Sequence, residues 1–576
     1  MKFAESPVLA PPLPLWRARM VLVLIAGALM TLIGRALYLQ VLDYGFLQAK
    51  GESRYSRVLE VPANRGRILD RNGEALAIST PVKSIWAIPE DVVASRRDTD
   101  RLAAVLEMPG DEVRKRLAED GRDFVFIKRQ ISPEVAERVA ALGIAGIHQS
   151  EEYRRYYPNG DVTAHVLGFT DVDGHGQEGV ELAYDGLLAG RAGSRRVIKD
   201  RRGEIVEDLE GNQPAQNGRD LVLALDSRIQ SLAFRRLRDA VLQHRAKGGG
   251  IVVLDVRTGE VLALANLPTY NPNNRSQLSG SALRNRAVVD IFEPGSTLKP
   301  LTIAAALEAG KVTPNTRIST APGSLTIGPA TIRDAHRSTE LTVAQVIQKS
   351  SNVGAAKIAL MLPREELWDM FEHSGLGQEP DIGFPGEASG KVRPYKTWRP
   401  IEQATMSYGH GISVSLIQLA RAYTMFARDG DLIPLSLVKL DSPPRGVRVI
   451  SPETAHAVRA MLELATQVDG TGPRAQIMGY RVAGKTGTAH KPENGGYAPD
   501  KYFSSFVGFA PASHPRLIVA ALVDEPTDGE YYGGTVAAPV FADVMAGALH
   551  ILGVPPDAPM KPIELPRPGT EIRESV

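Results

Sequence analysis

The sequence predicts an α+β fold in which helices cover an antiparallel sheet. Residues 251–256 and 261–265 are two apolar segments around a four-residue turn, which is the pattern of a buried β-hairpin. Helical periodicity then dominates from 296 to about 470, and strand patterns return after residue 480. Strands at both ends of a long helical insertion favour an antiparallel sheet with helices on its faces. The later strands are predicted at 480–489, 502–509 and 516–523, and a last helix at 537–552.

The amino terminus carries the pattern of a membrane anchor. Lys2, Arg17 and Arg19 precede an apolar stretch over 20–42 that only Arg35 interrupts. As a helix this stretch is about 35 Å long, enough to span a hydrocarbon core of about 30 Å with some tilt. The basic flank places residues 1–19 in the cytoplasm and everything after the stretch on the outer side of the membrane.

Two other interpretations of this stretch are weaker. A cleaved signal peptide needs a small-x-small site, and Gly34-Arg35-Ala36 matches that pattern poorly. A buried helix of a soluble protein would not explain why the basic residues lie on one side only. We therefore predict an uncleaved anchor.

The rest of the chain divides into regions that differ in periodicity and proline content. After the anchor, 67–77 predicts two short strands around an Asn-Gly turn, and 98–119 and 132–143 predict amphipathic helices. Six prolines after residue 554 predict an extended or flexible end. The predicted organisation is a tail at 1–19, a membrane helix at 20–42, a mixed domain at 43–220, a second domain at 221–553 and a flexible tail at 554–576.

Composition excludes several kinds of chemistry. The formal charge is +1, which provides no electrostatic argument for binding nucleic acid. The chain has no cysteine, so thiolate catalysis and thiolate metal ligation are excluded. None of the 11 histidines has another three or four residues away, and a helical zinc site of the H-E-x-x-H kind is therefore missing.

Three short motifs occur in one order along the chain, and the first contains a candidate nucleophile. In Ser296-Thr297-Leu298-Lys299, a turn at Pro294-Gly295 precedes a helical pattern, so Lys299 lies one turn after Ser296 on the same face. Lys299 can take the proton of the Ser296 hydroxyl if burial and a nearby cation lower its pKa. The motif alone arises by chance about once or twice in a chain of this length, and an ordinary helix cap would then explain it better.

The second motif is Ser350-Ser351-Asn352, at the start of a pattern that predicts a helix over 348–360. The Ser350 hydroxyl can pass a proton between Lys299, Ser296 and a leaving amine. The Asn352 amide can orient a substrate carbonyl or the Lys299 amine. Taken alone, this motif is better explained as a pair of helix-capping residues.

The third motif, Lys485-Thr486-Gly487-Thr488, lies in a strand pattern. Lys485 supplies positive charge, and the hydroxyls of Thr486 and Thr488 can bind a substrate carboxylate. Gly487 removes a side chain where a substrate backbone could pair along a strand edge. The N–H groups of Thr488 and Ser296 can form an oxyanion hole, in which each donor is worth about 3–4 kcal/mol.

A phosphate-loop pattern overlaps this third motif but does not fit its context. Residues 479–486 match G-x-x-x-x-G-K-[ST] letter for letter, a motif that needs a helix directly after it. Glycines and a proline within 487–496 prevent that helix. The chain also contains no G-x-S-x-G, so an α/β-hydrolase elbow is excluded.

The motifs and their surroundings together resemble a class B penicillin-binding protein over nearly the full length of the chain. Within that family the chain is most similar to the division-specific (septal) peptidoglycan D,D-transpeptidase of Gram-negative bacteria. The matching segments are 65–73 (RGRILDRNG), 284–287 (RNRA), 292–296 (FEPGS), 349–354 (KSSNVG), 383–387 (GFPGE), 481–488 (RVAGKTGT), 531–534 (YYGG) and 539–541 (PVF). The loop 490–501 is the least certain match.

The resemblance implies a fold and a reaction. It implies a non-catalytic pedestal at 43–220 and, at 221–553, the serine β-lactamase/penicillin-binding transpeptidase fold, with helices on both faces of an antiparallel sheet and a helical subdomain. Ser296 is then acylated by the penultimate D-Ala of a stem peptide, and an amine of a neighbouring stem resolves the acyl-enzyme. β-Lactams inhibit the enzyme covalently at Ser296, and no metal or organic cofactor is implied.

The resemblance also implies partners and a location. The partners are a septal glycan polymerase of the SEDS family and other division proteins, at the division site of the inner membrane, with the catalytic domain in the periplasm. An elongation-specific relative would share every catalytic residue. A serine β-lactamase would rarely carry an anchor and a pedestal, and a catalytically idle β-lactam-sensing scaffold would not need all three motifs intact.

Overall fold

A computed structural model describes residues 14–42, 56–118, 124–199, 205–208, 212–274, 280–493, 495–563, 565 and 574. Residues 1–13 of the predicted cytoplasmic tail lie outside this range. Most of the predicted flexible tail after residue 563 also lies outside it.

The α-helices are, in chain order, α1 (Leu15–Leu37), α2 (Arg96–Val105), α3 (Gly110–Leu117), α4 (Pro133–Ala140), α5 (Ala164–Leu167), α6 (Gly179–Ala183), α7 (Asp185–Leu188), α8 (Ser227–Gln243), α9 (Gly280–Leu283), α10 (Arg286–Val289), α11 (Lys299–Glu308), α12 (Val343–Gln348), α13 (Asn352–Ala359), α14 (Arg364–His373), α15 (Pro400–Met406), α16 (Leu416–Ala422), α17 (Thr424–Ala427), α18 (Pro452–Thr466) and α19 (Gly533–Ile551).

The strands are β1 (Ser56–Val61), β2 (Ile68–Leu69), β3 (Ala75–Ala87), β4 (Val125–Ile131), β5 (Ile147–Tyr156), β6 (Gly193–Lys199), β7 (Ile205–Asp208), β8 (Leu221–Val222), β9 (Gly248–Asp255), β10 (Val261–Leu267), β11 (Arg317–Ser319), β12 (Ser324–Ile327), β13 (Ala330–Arg333), β14 (Glu340–Thr342), β15 (Asp431–Leu432), β16 (Val447–Arg448), β17 (Ala483–Glu493), β18 (Gly496–Ala510) and β19 (Leu517–Asp524).

The chain forms two compact units. The first comprises Met1–Ala63, Val82–Glu152 and Arg191–Gln216. The second comprises Asn64–Pro81, Tyr153–Gly190 and Asn217–Val576. The predicted domain boundaries, including the one at residue 220, stay predictions.

The first unit begins with the apolar helix that the sequence predicted. Helix α1 starts at Leu15, five residues before the predicted span, and continues into a π-helical turn at Tyr38–Leu42. No residue of α1 is buried. The helical stretch Leu15–Val41 contains an 18-residue window with a mean hydropathy of 2.2 and is long and apolar enough to cross a membrane.

The remainder of the first unit is a small α+β arrangement. Strands β1, β6 and β7 form an antiparallel sheet, and the second half of β3 pairs with β4. The single helix predicted at 98–119 is wrong, because the structure has α2 and α3 with a break between them. Glu107 adopts a left-handed φ of 50° there, and Pro109 occupies the N-cap of α3. Proline cannot continue the hydrogen bonding of a preceding helix, so the break falls at this point.

The second unit contains the hairpin that the sequence predicted around Asn72-Gly73. Strand β2 pairs antiparallel with the start of β3, and Gly73 has a φ of +90°, which the turn requires of a residue without Cβ. Nearby, the carboxylate of Glu181 is completely buried and accepts hydrogen bonds from the Nε atoms of Arg65 and Arg155, each at 2.7 Å. Arg65 also pairs with Asp185 at 2.7 Å.

The main sheet of the second unit confirms the predicted fold class. Its five strands run in the order β10-β9-β19-β18-β17, and every neighbouring pair is antiparallel. Ile251 and Val253 on β9 pack with α8 and α19 on one face of the sheet, whereas Val252 and Leu254 pack with the helices of the other face. Successive side chains of a strand point to opposite faces, so an unbroken apolar run indicates a sheet that is covered twice.

The region between β10 and β17 departs from the prediction in part. It is rich in helices, α11 to α18, as predicted. It also contains three short two-stranded pairings, β11 with β14, β12 with β13 and β15 with β16. Strands of two to four residues are too short to show a period of two in the sequence.

The buried carboxylate of Glu181 provides a test of what stabilises the second unit. We expect Glu181→Ala to lower the free energy of unfolding by at least about 3 kcal/mol, because it leaves two buried guanidinium groups without their shared partner. Chemical denaturation of the detergent-solubilised chain measures this change. The matched control is Arg317→Ala, which removes an exposed pair with Glu340 and should have no measurable effect. Equal effects of the two substitutions would contradict this account.

Candidate active site

Ser296 lies at the junction of a tight turn and a helix. The sequence predicted one helix from Ser296 onward, but the structure has a 3₁₀ turn over Gly295–Leu298, and α11 begins at Lys299. Gly295 has a φ of +58°, which favours glycine, and Pro300 is tolerated because N–H groups in the first helical turn lack helical partners. Ser296 and Lys299 are both buried.

The amine of Lys299 contacts residues of both the first and the second motif. Its Nζ donates to Ser296 Oγ at 2.5 Å and to Asn352 Oδ1 at 2.7 Å. It also lies 3.1 Å from the carbonyl oxygen and 3.2 Å from the Oγ of Ser350. The structure therefore brings together four residues that the sequence placed in one site.

The surroundings of Lys299 favour its neutral form. Burial strongly lowers the pKa of the Lys299 amine, and the positive charge of Lys485 lowers it further. The carboxylates of Asp334 and Glu574 act in the opposite direction but more weakly. A neutral amine 2.5 Å from a hydroxyl can accept its proton, which is the role of a general base.

The Ser350 corner differs from the predicted helix over 348–360. Helix α12 ends at Gln348 and α13 begins at Asn352, with Ser350 between them at a left-handed φ of 56°. Ser351 caps α13 by accepting a hydrogen bond from the Gly354 N–H at 2.8 Å. Its hydroxyl donates to the carboxylate of Asp334 at 2.6 Å, which holds the corner in place. The conformation lets both the carbonyl and the hydroxyl of Ser350 face Lys299.

The third motif places a second buried lysine beside the first. Lys485 lies on β17, and its Nζ is 3.2 Å from both the carbonyl oxygen and the Oγ1 of Thr486 and 3.4 Å from the Oγ1 of Thr471. Burial lowers the pKa of Lys485 to about 8, and the Glu574 carboxylate partly offsets that effect. The two threonine hydroxyls are 2.9 Å apart.

Gly487 and Thr488 occupy a crowded stretch of the edge strand. A Cβ added to Gly487 would lie 2.5 Å from the Oγ of Ser505 and 2.8 Å from the carbonyl oxygen of Pro294. Glycine is thus required by packing against the nucleophile's own turn, a reason that the sequence did not indicate. A Cβ added to Gly295 would lie 3.1 Å from the carbonyl oxygen of Thr488, so the backbones of the first and third motifs are adjacent.

A carboxylate from the carboxyl-terminal segment lies in this site. Glu574 is buried, and its side chain accepts hydrogen bonds from Thr488 Oγ1 at 2.8 Å and from the Gly534 N–H at 2.7 Å. Burial raises the pKa of Glu574, while Lys485 lowers it. The sequence predicted only an extended or flexible tail here and did not indicate this contact.

The structure confirms that the phosphate-loop interpretation was rightly rejected, because Ala483–Glu493 form the strand β17 and not a loop that leads directly into a helix. Among the described residues, no group of three or more His, Asp or Glu side chains is arranged to hold a metal ion.

Several residues of the site were missed by the sequence analysis. None belongs to the three motifs, and all but Glu293, which lies three residues before Ser296, reach the site only through the fold of distant segments. They are Glu293, Asp334, Tyr408, His410, Thr471, Tyr497 and Glu574.

Comparison with known families covers both parts of the chain. The penicillin-binding protein transpeptidase domain matches residues 249–546, and the penicillin-binding protein dimerisation domain matches residues 60–223. The chain therefore belongs to the penicillin-binding proteins that carry a transpeptidase domain. The pairing of these two domains makes it a class B member, which confirms the resemblance inferred from the motifs.

Individual relatives agree with this assignment. A probable peptidoglycan D,D-transpeptidase, PenA, of Neisseria gonorrhoeae is 46% identical over 560 residues, covering 96% of each chain. The peptidoglycan D,D-transpeptidase FtsI of Escherichia coli K12 is 42% identical over 549 residues, covering 94% of this chain and 93% of the relative. The transpeptidase domain of penicillin-binding protein 3 from Burkholderia pseudomallei has a TM-score of 0.55 at 50% identity and covers 58% of this chain and 98% of that one.

The Glu574 contact leads to a prediction about access to the site. We expect Glu574→Gln to raise the rate of acylation by benzylpenicillin, an anion, by about tenfold, because a hydrogen bond to a charged group is worth about 1.5–3 kcal/mol. Stopped-flow measurement with a fluorescent penicillin gives this rate. Glu571→Gln is the matched control, with the same loss of charge three residues earlier, and should leave the rate unchanged. An unchanged rate in Glu574→Gln would show that this carboxylate does not obstruct the site.

Proposed function

We propose that this chain cross-links peptidoglycan stem peptides at the division septum through an acyl-enzyme on Ser296. The chain is a serine-type peptidoglycan D,D-transpeptidase of the penicillin-binding family. The observation that carries the proposed mechanism is the buried Lys299 amine, 2.5 Å from Ser296 Oγ and beside a second buried lysine.

In the acylation step, Ser296 Oγ attacks the carbonyl carbon of the penultimate D-Ala of one stem peptide. Lys299 accepts the hydroxyl proton as the new C–O bond forms. The N–H groups of Ser296 and Thr488 stabilise the oxyanion of the tetrahedral intermediate. The peptide bond then breaks, and the terminal D-Ala leaves with a proton that Ser350 passes from Lys299 to its amine.

The second step repeats this chemistry in reverse with a different amine. An amino group of a neighbouring stem attacks the ester carbonyl, and Lys299 and Ser350 remove its proton and return one to Ser296 Oγ. An amide cross-link forms, and the serine is regenerated. Asn352, whose Oδ1 accepts from Lys299 at 2.7 Å, orients the amine throughout.

The substrate's terminal carboxylate binds beside the third motif in this proposal. Lys485 supplies the positive charge, and Thr486 and Thr488 supply hydroxyl groups. The Glu574 side chain supports this assignment, because its carboxyl group accepts hydrogen bonds from Thr488 Oγ1 and the Gly534 N–H. Gly487 lets the edge strand approach the turn that carries Ser296, and β-lactams react covalently at Ser296 as mimics of D-Ala-D-Ala.

We also propose a location and partners. Helix α1 anchors the chain in the inner membrane with a single pass, and the domain at 221–553 works in the periplasm, as does the pedestal at 43–220. A SEDS-family septal glycan polymerase supplies the glycan strands, and other division proteins bind the same assembly. The similarity to the Escherichia coli protein FtsI over 94% of this chain supports the septal assignment.

Acylation of Ser296 is tested by intact-protein mass. We expect benzylpenicillin to form a stable adduct with the unmutated chain and none with Ser296→Ala, because the ester forms on that hydroxyl. Rapid drug hydrolysis without an adduct would instead indicate a β-lactamase. Neither adduct nor hydrolysis in a folded sample would overturn the catalytic proposal.

The septal role is tested separately by localisation. We expect a fluorescent fusion of the full chain to concentrate in a band at midcell in dividing cells of its host, and its depletion to produce filaments. Distribution along the lateral wall, with rounded cells after depletion, would indicate the elongation-specific role.

A further inference from the structure

A buried carboxylate lies three residues before the nucleophile and has no role in the mechanism above. Glu293 is only 7% exposed, and burial raises its pKa. It accepts a hydrogen bond from the Gly411 N–H at 3.0 Å. The hydroxyl of Tyr497 lies 3.0 and 3.1 Å from its two oxygens. Glu293 therefore joins the nucleophile's turn to the β17–β18 hairpin, on which Tyr497 lies.

An aromatic stack runs inward from this tyrosine to the catalytic lysine. The rings of Tyr497 and His410 are 5.8 Å apart, and those of His410 and Tyr408 are 5.1 Å apart. The Nζ of Lys299 is 5.7 Å from the centre of the Tyr408 ring. Tyr408 is buried, whereas half of the Tyr497 surface is exposed, so the hairpin tyrosine forms the outer layer between solvent and the amine.

The turn that carries Tyr408 and His410 is fixed against the nucleophile. A Cβ added to Gly409 would lie 2.2 Å from the carbonyl oxygen of Gly295, a separation that no side chain could accept. The inner part of the stack is therefore rigid, and only Tyr497, on the hairpin, can leave it. The Glu293 carboxylate is the hydrogen-bond acceptor that holds the Tyr497 hydroxyl.

We propose that Tyr497 and Glu293 are positioning residues that keep water away from Lys299, by latching the hairpin tyrosine onto the His410–Tyr408 stack. The proposal rests on Lys299 acting as the general base. Loss of the latch lets water reach the amine and stabilise its ammonium form, which raises the pKa of Lys299. A larger fraction of the amine is then protonated at a given pH and cannot accept the Ser296 proton.

The other charged groups around Lys299 do not depend on the latch. Lys485 faces it from β17, and Asp334 and Glu574 are the two carboxylates whose fields reach it. Burial is the main cause that lowers the pKa of His410 to about 4, so His410 is neutral near pH 7. The stack thus acts by excluding water and not by adding charge.

The test is the pH dependence of acylation by benzylpenicillin in the full, detergent-solubilised chain. In the unmutated chain the rate rises with pH as Lys299 loses its proton. For Tyr497→Phe, which removes only the hydroxyl, we expect this rise to move to higher pH by about one unit, equal to about a tenfold slower reaction on its acid side. At high pH the two rates should converge, and the melting temperature should not change.

Variants of Glu293 distinguish the effect of water exclusion on the pKa of Lys299 from the effect of the Glu293 charge. Glu293→Ala also removes a negative charge, which by itself would lower the pKa of Lys299, so a shift to higher pH has the sign of hydration only. Glu293→Gln keeps an oxygen acceptor for Tyr497 and should restore most of the normal profile. The double variant Glu293→Ala/Tyr497→Phe should shift no further than Tyr497→Phe alone, because both break one contact.

The matched control is Tyr502→Phe, on the same hairpin, whose hydroxyl donates to the carbonyl oxygen of Pro499. It should leave the pH profile unchanged. A loss of rate in Tyr497→Phe that is equal at every pH, or an equal shift in Tyr502→Phe, would overturn the latch. Failure of the unmutated chain to be acylated would instead overturn the proposed function. If Glu293→Ala does not fold, Tyr497→Phe alone still decides the question.

Discussion

The burial of two lysines side by side is the constraint on which the rest of the site depends. Lys299 and Lys485 are both completely buried, and taking an ammonium group out of water costs several kcal/mol. The fold tolerates them because the Lys299 pKa is lowered and the Lys485 amine has oxygen acceptors from two threonines. The same arrangement that makes these charges expensive favours the neutral form of Lys299, which is the form that the proposed general base requires.

Close backbone packing sets the positions of the reacting groups. Gly295, Gly409 and Gly487 all lie where an added methyl group would touch another segment at 3.1 Å or less. The left-handed Ser350 corner, held through Ser351 by Asp334, turns two of its oxygens toward one amine. The hydrogen bonds of 2.5–2.8 Å in this region therefore form between segments that close packing holds in place, and not between adaptable loops.

The sequence predicted those features of the fold and of the site that depend on hydrophobic periodicity or on short motifs. The apolar run at 251–256 predicted a doubly covered strand, and Ser296, Lys299, Ser350, Asn352 and Lys485 were expected together before any coordinates. The break at Pro109 could have been found from that proline, but the Ser350 corner could not, because serine rarely adopts a positive φ without tertiary support. Thr471 and Tyr408 reach the site only through long-range packing, which no local pattern records.

The crowding around the three glycines also has an evolutionary meaning. Substitution of any of these three glycines would force a neighbouring segment away from the turn that carries Ser296. The hairpin tip around Tyr497 is different, since its side chains reach solvent and have room to change. Variation that changes access to the site is therefore expected at solvent-facing side chains of this hairpin other than Tyr497, whose hydroxyl contacts Glu293, and not within the three motifs.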